Sequence, residues 1–291
     1  MVYIPMPAPQ GRADLHTHTT ASDGTLSPAE HVRWAGSQGL AALGITDHDT
    51  IAAWPEAIAA GEALGVEIVP GCELSTEVGE TEVHMLAYYF DPTESTMSAL
   101  LERMRGGRRA RAAEAVEKLH KLGLTQVSLE RVLALGGESV GRPHIAANMV
   151  EAGYVRTIKD AFDQYLGRGK AAYVPRPKLT PDEAITVVKQ AGGVPVVAHP
   201  GLIRDDAWVR RFIAEGVMGI EAYHTDHSEA QRQFYARWGL DAGLIVTGGT
   251  DSHGPRGPRT VVPGSVNVAL DVVAQLKAAS AYWQRTYAQN R

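Results

Sequence analysis

Cysteine is almost absent from this sequence, which has a single one, Cys72, among 291 residues. This excludes an internal disulfide framework and a cysteine-rich zinc module, and it favours a reduced, cytoplasmic setting. Long apolar runs are absent too, since none approaches the ~20 residues that cross a membrane. Residues 1–11 carry three prolines and no charged side chain, a composition typical of neither a signal peptide nor a transit peptide.

An excess of basic charge is also absent, because 33 acidic residues outnumber 28 lysines and arginines and the net charge is −5 at pH 7. A broad nucleic-acid-binding surface needs a basic face, so binding to duplex DNA is not expected. A small phosphorylated substrate held in a local basic pocket is not excluded. The hydrophobic content of 44% and the charged content of 21% are those of an ordinary soluble globular protein.

Strand-like and helix-like segments alternate over most of the chain. The segments Ser27 to Glu30 and Thr180 to Glu183 are capping boxes with proline at the first helical position, and each predicts a helix start. Repeated β-then-α units predict a parallel sheet, most simply a closed α/β barrel. In such barrels the active site lies at the C-terminal ends of the strands.

The middle of the chain interrupts this alternation with sequence that is almost entirely helix-like. We therefore predict a barrel formed by residues 1–100 and 172–291, with residues 101–171 as a helical insertion that caps the substrate. Glycines at 106 and 107 are expected to kink the first helix of the insertion. An arginine run over residues 103–111 is interpreted as a solvated helix face rather than a track for RNA.

Candidate metal ligands gather at the predicted strand ends. Two histidines separated by one residue point to the same face of a strand and can chelate a divalent ion. Nine residues in six short clusters form the candidate set: His16, His18, Asp23, His48, Glu73, His84, His199, Asp251 and His253.

Each of these signals has an ordinary alternative when taken alone. The pair His16 and His18 occurs by chance on surfaces, Asp23 suits a turn, and His84 has the apolar neighbours of a core histidine. Asp49 is expected to cap the helix after the second strand. The nine residues taken together favour a metal site, because burying imidazoles and carboxylates at one barrel mouth costs free energy unless they bind metal. Histidine, aspartate and glutamate without thiolates suit Mn²⁺, Zn²⁺ or Fe²⁺, and the residue types do not choose among these ions. Our expectation is Mn²⁺, with Zn²⁺ and Fe²⁺ as the alternatives.

The ordered motifs resemble those of the PHP (polymerase and histidinol phosphatase) family. The resemblance implies a distorted (β/α)₇ barrel that holds three divalent ions, with the nine residues as catalytic metal ligands. It implies His16, His18, Glu73 and Asp251 for the first ion, Glu73, His84 and His199 for the second, and Asp23, His48 and His253 for the third. The motifs are DLHTH (14–18), SDG (22–24), TDHD (46–49), GCE (71–73), VH (83–84), AHP (198–200) and TDSH (250–253).

The insertion and its glycine-flanked basic segments resemble one branch of that family. This branch comprises 3′,5′-nucleoside bisphosphate phosphatases and 5′→3′ exoribonucleases that act on short RNA. It implies hydrolysis of such substrates by a metal-activated hydroxide. We expect the rest of the substrate to be held by basic side chains: Arg142, His144, Arg168, Lys170 and, if it is not an outer partner of a metal ligand, His224.

Other functions stay open at this level. A phosphatase of the histidinol-phosphate type has the same metal ligands, and a catalytically silent PHP module would have the same fold. A metal-dependent amidohydrolase also uses an HxH motif, although no bridging lysine is apparent at a strand end. The sequence does not identify protein partners.

Overall fold

One mixed sheet forms the centre of the molecule. The computed structural model describes residues 11–176, 178–255 and 260–289. Within them eight strands hydrogen-bond in the order β7-β6-β5-β4-β3-β2-β1-β8. The strands are β1 (Arg12–Asp14), β2 (Ala42–Ile45), β3 (Glu67–Val78), β4 (Thr81–Tyr88), β5 (Val194–Val197), β6 (Gly219–His224), β7 (Ile245–Gly249) and β8 (Val268–Ala269).

The sheet closes where the chain leaves β1 and passes alongside β7. The backbone N–H of Leu15 donates to the carbonyl of Gly248 at 3.1 Å, and Thr17 forms a parallel bridge with Ser252. Because these bonds join β7, at one end of the strand order, to the chain directly after β1, next to the other end, the sheet is a nearly closed barrel. The predicted α/β barrel is confirmed.

The direction of β4 differs from the parallel arrangement that the alternation predicted. β4 runs antiparallel to both β3 and β5, while β1–β3 and β5–β7 are parallel. Only Gly79 and Glu80 separate β3 from β4. A two-residue connection can join antiparallel strands only, because a parallel crossover needs a dozen or more residues. The first residues of β4 therefore lie at the rim where the parallel strands end.

Helices cover the outside of the barrel and form the insertion. Both predicted capping residues do cap, since the hydroxyls of Ser27 and Thr180 accept from the N–H groups of Glu30 and Glu183. Among the described residues no helix has the length and apolar character needed to span a membrane. The helices are α1 (Pro28–Ser37), α2 (Trp54–Leu64), α3 (Ser95–Lys121), α4 (Leu129–Gly136), α5 (Arg142–Glu151), α6 (Ile158–Ala161), α7 (Pro181–Gln190), α8 (Asp206–Ala214), α9 (Glu229–Asp241) and α10 (Asp271–Gln289), with a π-helical turn at Phe162–Leu166 and a 3₁₀ turn at Pro200–Leu202.

The long helix α3 links the barrel to the insertion and continues through Gly106 and Gly107, where a kink was expected. Met97 and Met104, in its first half, pack in the main core of the barrel. Val116 and Leu119, in its second half, pack in a separate cluster with α4 and α5. The predicted boundary at residue 101 thus falls inside one helix. The division into barrel and substrate-capping insertion stays a prediction.

Candidate metal centre

The nine candidate ligands meet at one rim of the barrel. Seven of them follow the ends of parallel strands or lie in the loops just beyond, and Glu73 lies within β3, beyond its parallel pairing with β2. His84 comes near the start of β4, and the reversed direction of that strand brings it to the same rim. Three of the residues at or next to this rim have left-handed backbone conformations that side chains other than glycine rarely adopt, namely Asp49, His199 and Asp251 at φ 53°, 27° and 54°. Such strain is common at functional sites.

The carboxylate of Glu73 lies at the centre of the cluster. Its Oε1 is 2.7 Å from His84 Nδ1 and 3.0 Å from His199 Nε2. Its Oε2 is 3.0 Å from His48 Nδ1 and 3.2 Å from His18 Nε2. Because each oxygen faces a different set of imidazoles, Glu73 has the geometry of a carboxylate that bridges two cation positions.

A second carboxylate faces His16 and His18 from the end of the neighbouring strand β7. Asp251 Oδ1 is 3.0 Å from His18 Nε2 and 3.6 Å from His16 Nε2. With Glu73 these residues form a group whose donor atoms all lie within 4.8 Å of one another. They are the four residues that the family resemblance assigned to the first ion.

Asp23 is the carboxylate of the remaining set. Its Oδ1 is 3.3 Å from His253 Nε2, and its Oδ2 is 3.9 Å from His48 Nε2. His18 joins these three in a group with donor atoms within 4.8 Å. The structure thus brings together the first and third of the residue sets that the family resemblance implied. In the second set His84 and His199 each contact Glu73, but the group with donor atoms within 4.8 Å is His48, Glu73 and His84. Which residues bind metal stays a prediction.

The charged groups in this cluster strongly shift one another's pKa values. Burial alone would raise the pKa of Glu73, but the imidazoles of His84, His48 and His16 outweigh it and hold that pKa well below its usual range. Burial would lower the pKa of His18, yet its hydrogen bonds to Asp251 and Glu73 raise it to about 10. Dense mutual pairing of this kind keeps carboxylates ionised in a buried site.

Several buried nitrogen and oxygen atoms of this cluster nevertheless make no hydrogen bond. Among the described residues, His18 Nδ1, Asp23 Oδ1, His48 Nδ1 and His224 Nε2 are inaccessible to solvent and without a hydrogen-bond partner. His48 Nδ1 lies close to Glu73 but without the geometry of a hydrogen bond. Buried polar atoms without a partner are rare in proteins, and a bound ion can supply the missing interaction. The donor set, its spacing and these atoms fit divalent metal ions.

Comparisons with known proteins agree with this chemistry. The PHP domain family model matches residues 14–167. A 5′-3′ exoribonuclease of Haemophilus influenzae is 38% identical over 249 residues, which cover 84% of this chain and 90% of that protein. The chain belongs to the PHP family. It is therefore a metal-dependent phosphoesterase, as the motifs indicated.

Two further similar proteins extend the comparison. A 3′,5′-nucleoside bisphosphate phosphatase of Chromobacterium violaceum is 32% identical over 250 residues, covering 83% of this chain and 87% of that protein. The crystal structure of a Bifidobacterium adolescentis protein assigned to the metal-dependent phosphoesterases matches with a TM-score of 0.84 and 34% identity. The match covers 94% of this chain and 98% of that one. The predicted branch of the PHP family is confirmed.

Glu221 is not one of the nine candidate ligands, but its carboxylate contacts the ring nitrogen of His16 that faces away from Glu73 and Asp251. Glu221 is fully buried, and its Oε1 lies 3.0 Å from His16 Nδ1. Its Oε2 accepts from the backbone N–H of His199 at 2.8 Å. A carboxylate behind a histidine fixes the tautomer and turns the other ring nitrogen toward a metal. In the sequence, four polar residues crowd the end of β6, a pattern that predicts partners orienting metal ligands: Glu221, His224, Asp226 and His227.

Sequence reasoning missed Asp47, although it lies inside the TDHD motif. Its carboxylate accepts from the N–H and the hydroxyl of Thr19, both at 2.8 Å, and from the hydroxyl of Ser22 at 2.6 Å. These bonds shape the loop that carries Asp23. A motif marks such a residue, but only the folded loop reveals its partners.

The five predicted substrate-binding residues differ in their surroundings. Arg142 lines a small pocket near the rim, whereas Lys170 is exposed and outside the residues that line it. His144 accepts from the N–H of Gly141 at 2.9 Å and so helps to cap α5. Arg168 pairs with Glu77. His224 is fully buried, with Nε2 3.6 Å from Asp251.

The interpretation of the arginine run as a solvated face is wrong for two of its members. Arg108 and Arg111 are each only 9% exposed. Arg111 donates to the carbonyl of Val174 at 2.8 Å and lines the same pocket as Arg142. Arg108 pairs with Asp49, which therefore does not cap α2, a helix that begins only at Trp54. Helix α3 packs on the barrel with the side that carries Arg108 and Arg111. The order of residues in the arginine run does not show which side of the helix is buried.

Four guanidinium groups and three carboxylates line this pocket, which we call the arginine pocket. The arginines are Arg111, Arg142, Arg168 and Arg176, and the carboxylates are Glu77, Glu80 and Glu82. Arg111 keeps one nitrogen, Nη2, buried and without a partner. Burial and the neighbouring arginines lower the pKa of Arg111 to about 9. The pocket reaches the metal centre at His84, whose Nε2 is 3.3 Å from Arg176 Nη1.

Proposed function

We propose that this enzyme hydrolyses phosphate esters of nucleotides that carry a second phosphate. The substrates would be nucleoside 3′,5′-bisphosphates or short 5′-phosphorylated oligoribonucleotides. The observation that carries the proposal is the arginine pocket beside the metal centre. Guanidinium groups recognise phosphate by paired, charge-assisted hydrogen bonds, and the exoribonuclease and bisphosphate phosphatase relatives are named for substrates of this kind.

The metal centre would hold three divalent ions, with Mn²⁺ as the preferred ion. We propose His16, His18, Glu73 and Asp251 for the first ion. The second would take Glu73, His84 and His199, and the third Asp23, His48 and His253. When bound, the ions provide Lewis acidity toward phosphoryl oxygens and lower the pKa of a coordinated water. In support, the donor atoms converge and several of the described ones make no hydrogen bond.

The side chains of this chain would orient the substrate between two positive regions. Arg142 and Arg176 would bind the phosphate that does not react, which sets the other ester against the ligand cluster. Tyr173 lines the pocket, and its ring lies 5.8 Å from the Arg142 guanidinium carbon, which keeps that group in place. Glu82 faces both arginines in the present structure and would yield its position to the phosphate.

The same pocket disfavours histidinol phosphate as the substrate. That molecule has one phosphate and a cationic amine, and an amine would meet like charges at Arg142 and Arg176. Like-charge contacts are costly where solvent screens them little.

The experiment is phosphate release in the presence of Mn²⁺ from four compounds: the bisphosphate pAp, a short 5′-phosphorylated RNA, histidinol phosphate and p-nitrophenyl phosphate. We expect turnover of the first two. Arg142→Met should raise KM for pAp and leave hydrolysis of p-nitrophenyl phosphate unchanged, because only pAp has the second phosphate. Arg131→Met is a matched control, since Arg131 pairs with Glu151 on the surface of the insertion.

His48→Ala tests the ligand cluster itself and should abolish turnover of all substrates while the fold is retained. Hydrolysis of histidinol phosphate in preference to pAp would contradict the proposed substrate class. No phosphate release from any of the four compounds by metal-loaded protein would instead favour a silent PHP module.

A further inference from the structure

A buried ion pair joins the helical insertion to the floor of the metal centre. Arg108, in α3, donates from Nε to Asp49 Oδ2 at 2.7 Å and from Nη2 to Ser75 Oγ at 2.8 Å. Asp49 is completely buried, and its other oxygen accepts from the backbone N–H of Ser75 at 2.9 Å. One guanidinium therefore ties α3 both to the loop after β2 and to β3.

The loop that this pair fixes carries His48. Asp49 follows His48 directly and has a left-handed backbone at φ 53°. The N–H of Asp49 donates to the carbonyl of Glu73 at 3.1 Å, and His48 itself forms a parallel bridge with Glu73. The side chain of Asp49 is held by Arg108 and Ser75 and its backbone by Glu73. Together these bonds fix the direction in which His48 leaves the chain.

Docking of α3 does not require this ion pair. Met97, Leu100 and Met104 already pack α3 into the barrel core. A buried ion pair contributes little net stability compared with apolar packing of similar volume, although it does define geometry where its hydrogen bonds are fully made. Here the guanidinium makes two directed bonds in a fixed plane, which a lysine could not reproduce. Its position one residue from a candidate ligand points to a geometric role.

We propose that Arg108 is a positioning residue for the metal centre. By holding Asp49 it sets the imidazole of His48 against Asp23 and His253, and so determines how tightly that set binds its divalent ion. The proposal rests on the proposed function in one respect, that these three residues are metal ligands. The helical insertion would then complete the metal centre from behind, in addition to any contact with substrate.

The test is calorimetric titration of Mn²⁺ into metal-free protein, with the wild type compared with Arg108→Lys. We expect one class of Mn²⁺ sites to weaken by about tenfold, the lower end of what loss of an outer partner costs a metal site. With pAp, kcat at limiting Mn²⁺ should fall, excess Mn²⁺ should restore it, and KM should not change. Arg109→Lys is the matched control, because Arg109 is the exposed neighbour on the same helix.

Thermal unfolding of the metal-free variants separates positioning from folding. If Arg108→Lys does not fold, Ser75→Ala gives the answer, because it removes only the bond to Nη2 and should weaken the same class of sites to a smaller degree. Wild-type Mn²⁺ affinity at every site in a folded variant would overturn the proposal, even if the unfolding temperature fell. Failure of the wild type to hydrolyse pAp would overturn the proposed substrate and leave the Mn²⁺ titration as a valid test of Arg108.

Discussion

Replacing Glu221 with glutamine perturbs the metal centre through a side chain that lies behind it. Glu221 serves two donors at once, His16 Nδ1 at 3.0 Å and the backbone N–H of His199 at 2.8 Å. A carboxylate satisfies both through its two oxygens, whereas the amide of glutamine has one oxygen and one NH₂ group. The substitution preserves shape and removes one acceptor.

Either orientation of the amide is unfavourable. If its oxygen faces His199, its NH₂ faces His16 Nδ1 and favours the tautomer with the proton on Nε2. That nitrogen lies 3.3 Å from Glu73 and is the proposed metal donor. If the oxygen faces His16 instead, two N–H donors oppose each other in a buried site. Loss of such a partner usually lowers metal affinity by about 10–100-fold, which is about 1.4–2.8 kcal/mol.

The assay is titration of Mn²⁺ into metal-free Glu221→Gln protein by calorimetry, with urea unfolding as the check on folding. We expect weaker binding by the factor given above and a loss of turnover that excess Mn²⁺ partly restores. Glu229→Gln is the control, since Glu229 is exposed at the start of α9. Unchanged Mn²⁺ affinity in a folded Glu221→Gln protein would refute the argument from the tautomer of His16.

Three more predictions concern proton release on metal binding, the contribution of the barrel closure to stability, and the separate packing of the insertion. In metal-free protein the pKa of His18 is about 10, and that of His84 is raised to about 9 because its pairing with Glu73 outweighs burial. Both rings are therefore protonated at neutral pH, so metal binding must release protons. Calorimetry in buffers of different ionisation enthalpy should detect that release, with affinity rising as pH rises. Tyr88→Phe removes a buried bond of 2.8 Å to the carbonyl of Leu15 and should lower the free energy of unfolding by about 1–2 kcal/mol in a urea titration. Leu119→Ala opens a cavity in the core of the insertion and should cost about 2–5 kcal/mol by the same measurement, with Mn²⁺ affinity unchanged; an equal loss of affinity would contradict separate packing of the two clusters.

The residues that meet at the metal centre could be found from the sequence because their chemistry is local. A single histidine or carboxylate after a buried strand has ordinary alternatives, but parallel strands bring their ends to one rim, so the whole set indicates a metal site. The pairs His16 with His18 and Asp251 with His253 were therefore visible without coordinates. The capping residues Ser27 and Thr180 were predictable for the same reason, since each bonds within its own first turn.

The arrangement between distant segments was decided only by the tertiary structure. Whether His84 reaches the rim depends on the direction of β4, which follows from the hairpin at Gly79 and not from the pattern within the strand. Asp49 has the position of a helix cap, yet Arg108 from another part of the chain bonds it because a buried charge must find its counter-charge. Periodicity and motifs report neighbours along the chain, whereas ion pairs and pockets report neighbours in space. The sequence by itself thus determined the barrel and which residues are candidate metal donors, and the packing of α3 decided which arginines face the site.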